Sequence, residues 1–175
     1  MKILITGGCG FLGSNIAKTL LEKNHELMII DNLQRHGSKK NFEWLKSSHD
    51  FIFLKNDIVE LETLSEDIIK FNPTTILHLA GQVAMTTSLE DPHRDFLVNA
   101  YGTFKLLELI RISLPSSKII YSSTNKVYGD LEHLNYKESE TRYKIENYEA
   151  GIPEEIRLEM SSPYGCSKGT ADQYI

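Results

Sequence analysis

Lys2-Ile3-Leu4-Ile5-Thr6-Gly7-Gly8-Cys9-Gly10-Phe11-Leu12-Gly13 opens the chain. Ile3–Thr6 is the kind of apolar, β-branched run that forms a strand covered on both faces. From Leu12 to Lys23, the residues Leu12, Ile16, Ala17, Leu20 and Leu21 recur at close to the helical period, which predicts a helix with an apolar face. The glycines lie at the joint between the two. Such a joint lets an anion approach bare backbone N–H groups at the positive end of a helix, where a side chain would stand in the way.

Working outward, similar runs recur at Leu27–Asp31, Phe51–Leu54, Thr75–Ala80 and Lys118–Ser123, and a second helical pattern covers Phe96–Ile112 with Phe96, Val98, Leu106, Leu107 and Ile110 on a broad face. Strands alternating with helices predict an α/β fold, a doubly wound, Rossmann-like parallel sheet with right-handed crossovers. Asn24, Asn72-Pro73 and Pro115 punctuate the joints. From Gly129 to Ser162 the pattern dissolves into a polar, glutamate-rich stretch, read as a flap holding at most short helices.

The chain has 175 residues, a net charge of −5, 41% hydrophobic and 25% charged residues, the makeup of one globular domain with an adequate core. Its lysines and arginines form no basic block, which argues against nucleic acid as a partner. No run approaches a membrane span and the first residues are already strand-like, so the expectation is a cytoplasmic protein with no membrane partner. Cys9 and Cys166 are expected to be buried or partly buried thiols, and no spacing suggests a metal site. Trp44 is expected in the core with Phe42 and Leu45, and His78 is read as a satisfied structural histidine.

Glycines alone are a weak signal. Asp31, closing the second run eighteen residues after Gly13, strengthens it, because a carboxylate there can accept hydrogen bonds from both hydroxyls of an adenosine ribose. It would repel a 2′-phosphate, favouring NAD over NADP, although Arg35 is near enough to neutralise one. Further on, Tyr164 and Lys168 are four apart on a predicted helix, hence on one face. Tyr121-Ser122-Ser123-Thr124 places hydroxyls at the carboxyl end of the fifth strand, where ligands of open α/β sheets bind. A tyrosine serves as a base near neutral pH only if its pKa falls by about three units, or roughly 4 kcal/mol, which a desolvated lysine and a cationic cofactor can supply.

Together with Asn56-Asp57-Ile58, His78-Leu79-Ala80-Gly81 and Asn99, these motifs resemble the extended short-chain dehydrogenase/reductase family of NAD-dependent epimerases and dehydratases over the whole chain. Gln82–Ser88 and Ser122–Asp130 resemble a branch that acts at C2 of a CDP-linked dideoxyhexose. The resemblance implies NAD held by Gly7, Gly10, Phe11, Leu12, Gly13, Asp31, Asn32, Asp57, Ile58, Leu79, Ala80, Gln82, Asn99, Ser122, Tyr164 and Lys168. It implies that Met85, Thr86, Ser88, Thr124 and Asn125 meet a nucleotide sugar, and that Thr124, Tyr164 and Lys168 are catalytic, with Tyr164 as the base. Family dehydratases carry an acid after this threonine; Asn125 stands there, so elimination of water is not expected. The implied reaction is C2 epimerisation through a transient 2-ketone.

The chain ends at Ile175 inside a helical pattern begun at Ser161-Ser162-Pro163. Residues 1–175 are therefore expected to be the NAD-binding part of a family member, lacking the C-terminal part that binds the sugar nucleotide, leaving β-strand five as an open edge and inactive alone. The family resemblance also implies a homo-oligomer formed through Phe96–Ile112 and the last helix. Two other readings stay open: a different epimerase or reductase of the family, such as one acting at C4, and a non-enzymatic NAD-binding or interaction module.

Overall fold

Strand β1 (Lys2–Thr6) is the centre of the structure, a computed structural model describing all 175 residues. It pairs in parallel with β2 (Glu26–Ile30) on one side and β4 (Thr75–His78) on the other. Strand β3 (Ile52–Leu54) flanks β2, and β5 (Lys118–Tyr121) flanks β4, giving the order β3-β2-β1-β4-β5. The expected doubly wound sheet is therefore present. Because Thr6 aligns with both Ile30 and His78, and His78 with Tyr121, the strands end level along one rim. The chain leaves β1 toward β3 and returns to β4 on its far side, so the sheet order reverses at β1, where a crevice opens beyond the strand ends.

Alternation along the strands splits the core in two. Leu4, Met28, Ile30 and Ile76 face a cluster with Ile58, Leu61, Ile68, Phe71, Val98, Leu106 and Leu114; Ile3, Ile5, Leu27 and Ile29 face the other with Ala17, Leu21 and Leu45. The first is covered by a 3₁₀ turn (Ile58–Leu64), α3 (Ser65–Phe71) and the long helix described below. The second is covered by α1 (Phe11–Glu22) and α2 (Ser38–Lys46). Leu4 and Ile5 are fully buried, each worth about 1.5–3 kcal/mol of transfer free energy.

After β4 come α4 (Met85–Glu90) and a continuous helix built from α5 (Pro92–Phe96), a π turn (Leu97–Tyr101) and α6 (Gly102–Ser113). Asp91 starts it by accepting from the Arg94 N–H, with Pro92 in the first turn. Helix α7 (Pro163–Tyr174) begins the same way, with Ser162 accepting from the Gly165 N–H. No helix is long and apolar enough to cross a membrane.

Several expectations are corrected. The strands stop one or two residues before Asp31, Ala80 and Ser123, freeing those residues for the rim. On α1 the buried face is Gly13, Ser14, Ala17 and Leu21, while Leu12 is half exposed, because small residues let α1 lie close to the sheet. Phe96 and Trp44 point outward too; Trp44 lies under the Lys18 ammonium. Cys166 is exposed. The flap contains an antiparallel hairpin, β6 (Tyr136–Glu138) with β7 (Tyr143–Ile145), tied at its base by Lys137 and Glu146. As expected, β5 is an edge, with Ile120 57% exposed.

Candidate active site

Gly7 leaves β1 in the left-handed region, with φ of 70°. A Cβ there would meet Ala80 N at 2.6 Å, so β1 and the segment after β4 pass each other too closely for any side chain. Gly10 caps α1 without a side chain, and no acid occupies the helix's first turn. At Gly13 a Cβ would lie 2.3 Å from Gly7 O. The result is a glycine cradle facing the positive, uncapped end of a helix.

Asp31 closes this cradle: Oδ2 accepts the Cys9 N–H at 2.9 Å and Oδ1 the Leu33 N–H at 2.8 Å. Burial, then the Asp31 charge, push the Cys9 thiol up to about 12, so that sulfur is inert. Asn32 donates to Asp57 at 2.8 Å, and Arg94 reaches across from α5 to the same carboxylate. Burial works to raise Asp57, but the Val59 N–H, Asn32 and Arg94 together hold it below the usual carboxylate value.

These groups line one cleft of about 840 Å³, running from the glycine turn past Asp57 to Ser122. All the residues expected to meet the cofactor line it except Asn99, Tyr164 and Lys168. Asn99 is buried behind the wall. Its Oδ1 accepts the Gln82 N–H at 2.9 Å, and its Nδ2 donates to Gln82 O, Asp95 and Ser167. It thus holds Gln82 in place rather than facing the cleft. Gln82 Nε2 donates to Ala84 O, but its Oε1 is buried without a partner. An orphaned acceptor in a cleft wall suits a donor on a ligand.

Lys168 is buried, donates to Ser122 O at 2.6 Å and stands 4.0 Å over the Tyr121 ring. Burial lowers its pKa to about 8, against the opposing charges of Asp172 and Asp95. Tyr164 lies one turn earlier on α7. Thr124 caps a short 3₁₀ turn (Asn125–Tyr128), accepting the Lys126 N–H at 3.3 Å. Ser88 is buried and committed: its hydroxyl donates to Met85 O and accepts the Tyr164 N–H. Met85, Thr86 and Asn125 are exposed, and Thr87 is the residue of α4 that lines the cleft.

Behind the strand ends runs a buried polar chain whose donor directions are forced. Thr103 Oγ1 donates to Asn99 O at 2.5 Å, so it accepts from His78 Nε2–H at 2.8 Å. His78 Nδ1 then accepts from Thr6 Oγ1 at 2.7 Å. His78 is thus the satisfied structural histidine expected. Arg94, Thr87, Asp95 and Ser167 were not legible as site residues. Asp91-Pro92 announces the helix that carries Arg94 and Asp95, but nothing local says what they reach.

A glycine cradle at a switch point, a carboxylate after the second strand and a lysine–tyrosine helix beyond the fifth define a dinucleotide-binding α/β domain of the short-chain dehydrogenase/reductase type. Within that class, the chain belongs to the family described as GDP-mannose 4,6 dehydratase, whose pattern matches residues 4–175. It is 51% identical to a CDP-paratose 2-epimerase of Salmonella typhi across 100% of this chain and 52% of that protein. It is 36% identical to a UDP-glucose 4-epimerase of Mycolicibacterium smegmatis across 100% of this chain and 50% of that one. The chain spans about half the length of the curated relatives it matches. Among solved structures, the Thermus thermophilus UDP-glucose 4-epimerase in complex with NAD superposes with a TM-score of 0.77 at 30% identity, covering 99% of this chain and 49% of that one. The Campylobacter jejuni UDP-Glc/GlcNAc 4-epimerase reaches 0.81 at 28% identity, with 99% and 47% covered.

Proposed function

We propose that this chain is the NAD-binding part of a nucleotide-sugar epimerase that converts CDP-paratose to CDP-tyvelose by inverting C2. The observation that carries the reading is the cleft itself: it starts at the uncapped glycine turn and ends at Ser122, whose carbonyl holds the Lys168 ammonium. The identity to the Salmonella typhi enzyme supports the choice of substrate.

NAD fits the residues present. Gly7, Gly10 and Gly13 would hold its diphosphate, Asp31 with Asn32 its adenosine ribose, Asp57 and Ile58 its adenine, and Gln82 and Lys168 the nicotinamide half. Both Asp31 oxygens already accept an N–H, yet each has a second lone pair for a ribose hydroxyl. When bound, NAD supplies a hydride acceptor for the sugar and returns the hydride afterward.

Oxidation is needed because C2 of such a sugar adjoins an acetal carbon, not a carbonyl, so its hydrogen is not acidic. Tyr164 takes the proton of the C2 hydroxyl while Thr124 hydrogen-bonds the same oxygen. Lys168, mostly charged at pH 7 with a pKa near 8, stabilises the tyrosinate, and activity should fall as pH rises through that value. Asn125 offers no acid to help a hydroxyl leave, so the sugar keeps its C–O bonds. Phe104 and Tyr174, in edge contact at 5.7 Å and exposed on α6 and α7, suit the homo-oligomer surface expected of the family.

Calorimetry of this chain with NAD should show saturable binding, stronger than with NADP. In the chain joined to the remaining half of the enzyme, Tyr164→Phe is expected to reduce CDP-paratose turnover at least about 1,000-fold and leave NAD affinity unchanged. No binding at millimolar NAD, or turnover retained in the variant, overturns the reading; turnover of UDP-glucose instead redirects it to C4.

A further inference from the structure

Asp95 is a fully buried carboxylate, 0% exposed, that the proposed chemistry does not use. It sits on α5, four residues before Asn99, and its two oxygens meet only donors. Oδ1 accepts from Asn99 Nδ2 at 3.1 Å, and Oδ2 accepts from the Ser167 hydroxyl. Ser167 lies between Tyr164 and Lys168 on α7 and also accepts from Asn99 at 3.1 Å. Asp95, Asn99 and Ser167 therefore form a closed triangle joining α5, the π turn and α7. π turns recur where a helix must re-aim a side chain at a functional site. Here the turn brings Asn99 to the Gln82 backbone on one side and to α7 on the other.

Two donors facing two different oxygens suit a carboxylate, since an asparagine would turn its N–H2 toward one of them; the carboxylate also brings a buried charge, which is costly unless a partner offsets it. The partner for that charge is near: the buried cation next to Ser167 is Lys168. We propose that Asp95 is a positioning residue for the Tyr164–Lys168 pair, holding α7 to the long helix through Ser167 and lending its negative charge to the Lys168 ammonium. This rests on the reading of Tyr164 and Lys168 as the proton-handling pair.

The charged and titratable groups around Lys168 are Asp95 from α5, Asp172 and Tyr164 from α7 itself, His78 from β4 and Tyr121 from β5. His78 is neutral at physiological pH, since burial and then Lys168 lower its pKa to about 3. The Tyr121 hydroxyl is buried without a partner, and burial, Asp172 and Tyr164 raise its pKa. Asp172 and Asp95, from two different helices, are the groups whose charge opposes the desolvation of Lys168; burial raises the pKa of Asp95 itself, against the Ser167 hydroxyl and the Lys168 charge, which hold it down.

The test reads Lys168 directly, by NMR of the chain with ¹³Cε-labelled lysine, the signal being assigned by its loss in Lys168→Met. Asp95→Asn keeps the shape and an acceptor for Ser167 while removing the charge. It is expected to lower the Lys168 midpoint by about one pH unit, a tenfold loss of proton affinity. Ser167→Ala cuts the tether and keeps the charge, and is expected to move the midpoint far less. Should Asp95→Asn fail to fold, the wild-type protein still decides: the Asp95 carboxyl resonance should show a step at the Lys168 midpoint, because coupling between two sites is reciprocal. An unchanged midpoint in a folded Asp95→Asn chain, or no such step in the wild type, overturns the proposal. NAD titration of the same samples separates the two readings: a shifted midpoint without NAD binding sinks the cofactor assignment and leaves the Asp95 coupling standing.

Discussion

Replacing Gly13 by alanine is expected to abolish dinucleotide binding and to destabilise the fold, although alanine is the better helix former. In an open helix interior the change would stabilise by about 1 kcal/mol. Here the new methyl carbon would sit 2.3 Å from Gly7 O and 2.7 Å from Gly8 Cα, both backbone atoms of the cradle. Neither can rotate away, so α1 must lift off the turn. Overpacking of this kind costs typically 1–3 kcal/mol, and the lifted helix carries its N–H groups away from where a diphosphate would lie. Gly169→Ala provides the contrast. Its Cβ would meet the Met160 side chain, with Sδ at 2.5 Å, and a methionine end can swing aside. Urea unfolding and NAD calorimetry on both variants should show Gly169→Ala near wild type in each measurement. Gly13→Ala should lose at least 1 kcal/mol of stability by the overpacking estimate and bind no NAD at millimolar concentration. Wild-type affinity in Gly13→Ala would remove the glycine cradle from the site.

That result would bear on the part of the molecule most legible in sequence. The glycine turn, the five parallel strands and Asp31 are local patterns: a strand buried on both faces must be a continuous apolar run, and a backbone that touches backbone must be glycine. The helices that packing rather than periodicity creates were not visible. Helix α2 buries only Ser38 and Leu45, and α4 only Ser88, too few residues to set a period. Leu12 and Phe96 were misplaced because apolar character marks candidates for burial, while neighbours decide; around Leu12 the helix approaches the sheet through Gly13 and Ala17 instead. Arg94 reaching Asp57, and Asp95 reaching Ser167, join residues 37 and 72 positions apart. A pairing over that distance depends on the sheet order, which is a property of the whole fold. The resemblance to a known family assigns Asn99 to the cofactor, Ser88 to the sugar nucleotide, and Tyr164 with Lys168 to the proton transfer. The structure places Asn99 and Ser88 as supports, one for Gln82 and one for the start of α7.

Lowering the pH from 7.5 to 5 is expected to destabilise the protein by about 2 kcal/mol through His78 alone. The imidazole is 0% exposed and neutral, with its pKa lowered from 6.5 to about 3, first by burial and then by the Lys168 charge. A depressed folded value means that the unfolded chain binds the proton first. The stabilisation is complete above pH 6.5 and shrinks as pH falls toward 3, its full size being on the order of 5 kcal/mol. The window between pH 7 and 5 lies above ordinary carboxylate titration, and the other five histidines are exposed or half-exposed. Urea melts at pH 7.5 and 5 on the wild type and on His78→Gln should therefore differ in slope: the variant loses the steep dependence even though it is the less stable protein at pH 7.5. If both show the same dependence, His78 is not the group responsible. Should the variant not fold, the wild-type His78 ring signal decides, since it should not titrate above pH 4. Protonation of the folded state, which sets in only near pH 3, would also have a local consequence. A charged His78 cannot accept from Thr6, and Thr6 Oγ1 in turn accepts the Ala80 N–H at 3.3 Å, beside the glycine cradle. On its other side His78 holds Thr103, which holds Asn99, which holds Gln82. One proton at the centre of this chain would loosen both walls of the cleft, but the folded state takes it only near pH 3, so NAD affinity of the folded protein should stay flat between pH 7.5 and 5 while stability falls. His78→Gln should bind NAD more weakly than wild type by a factor that stays constant over that range.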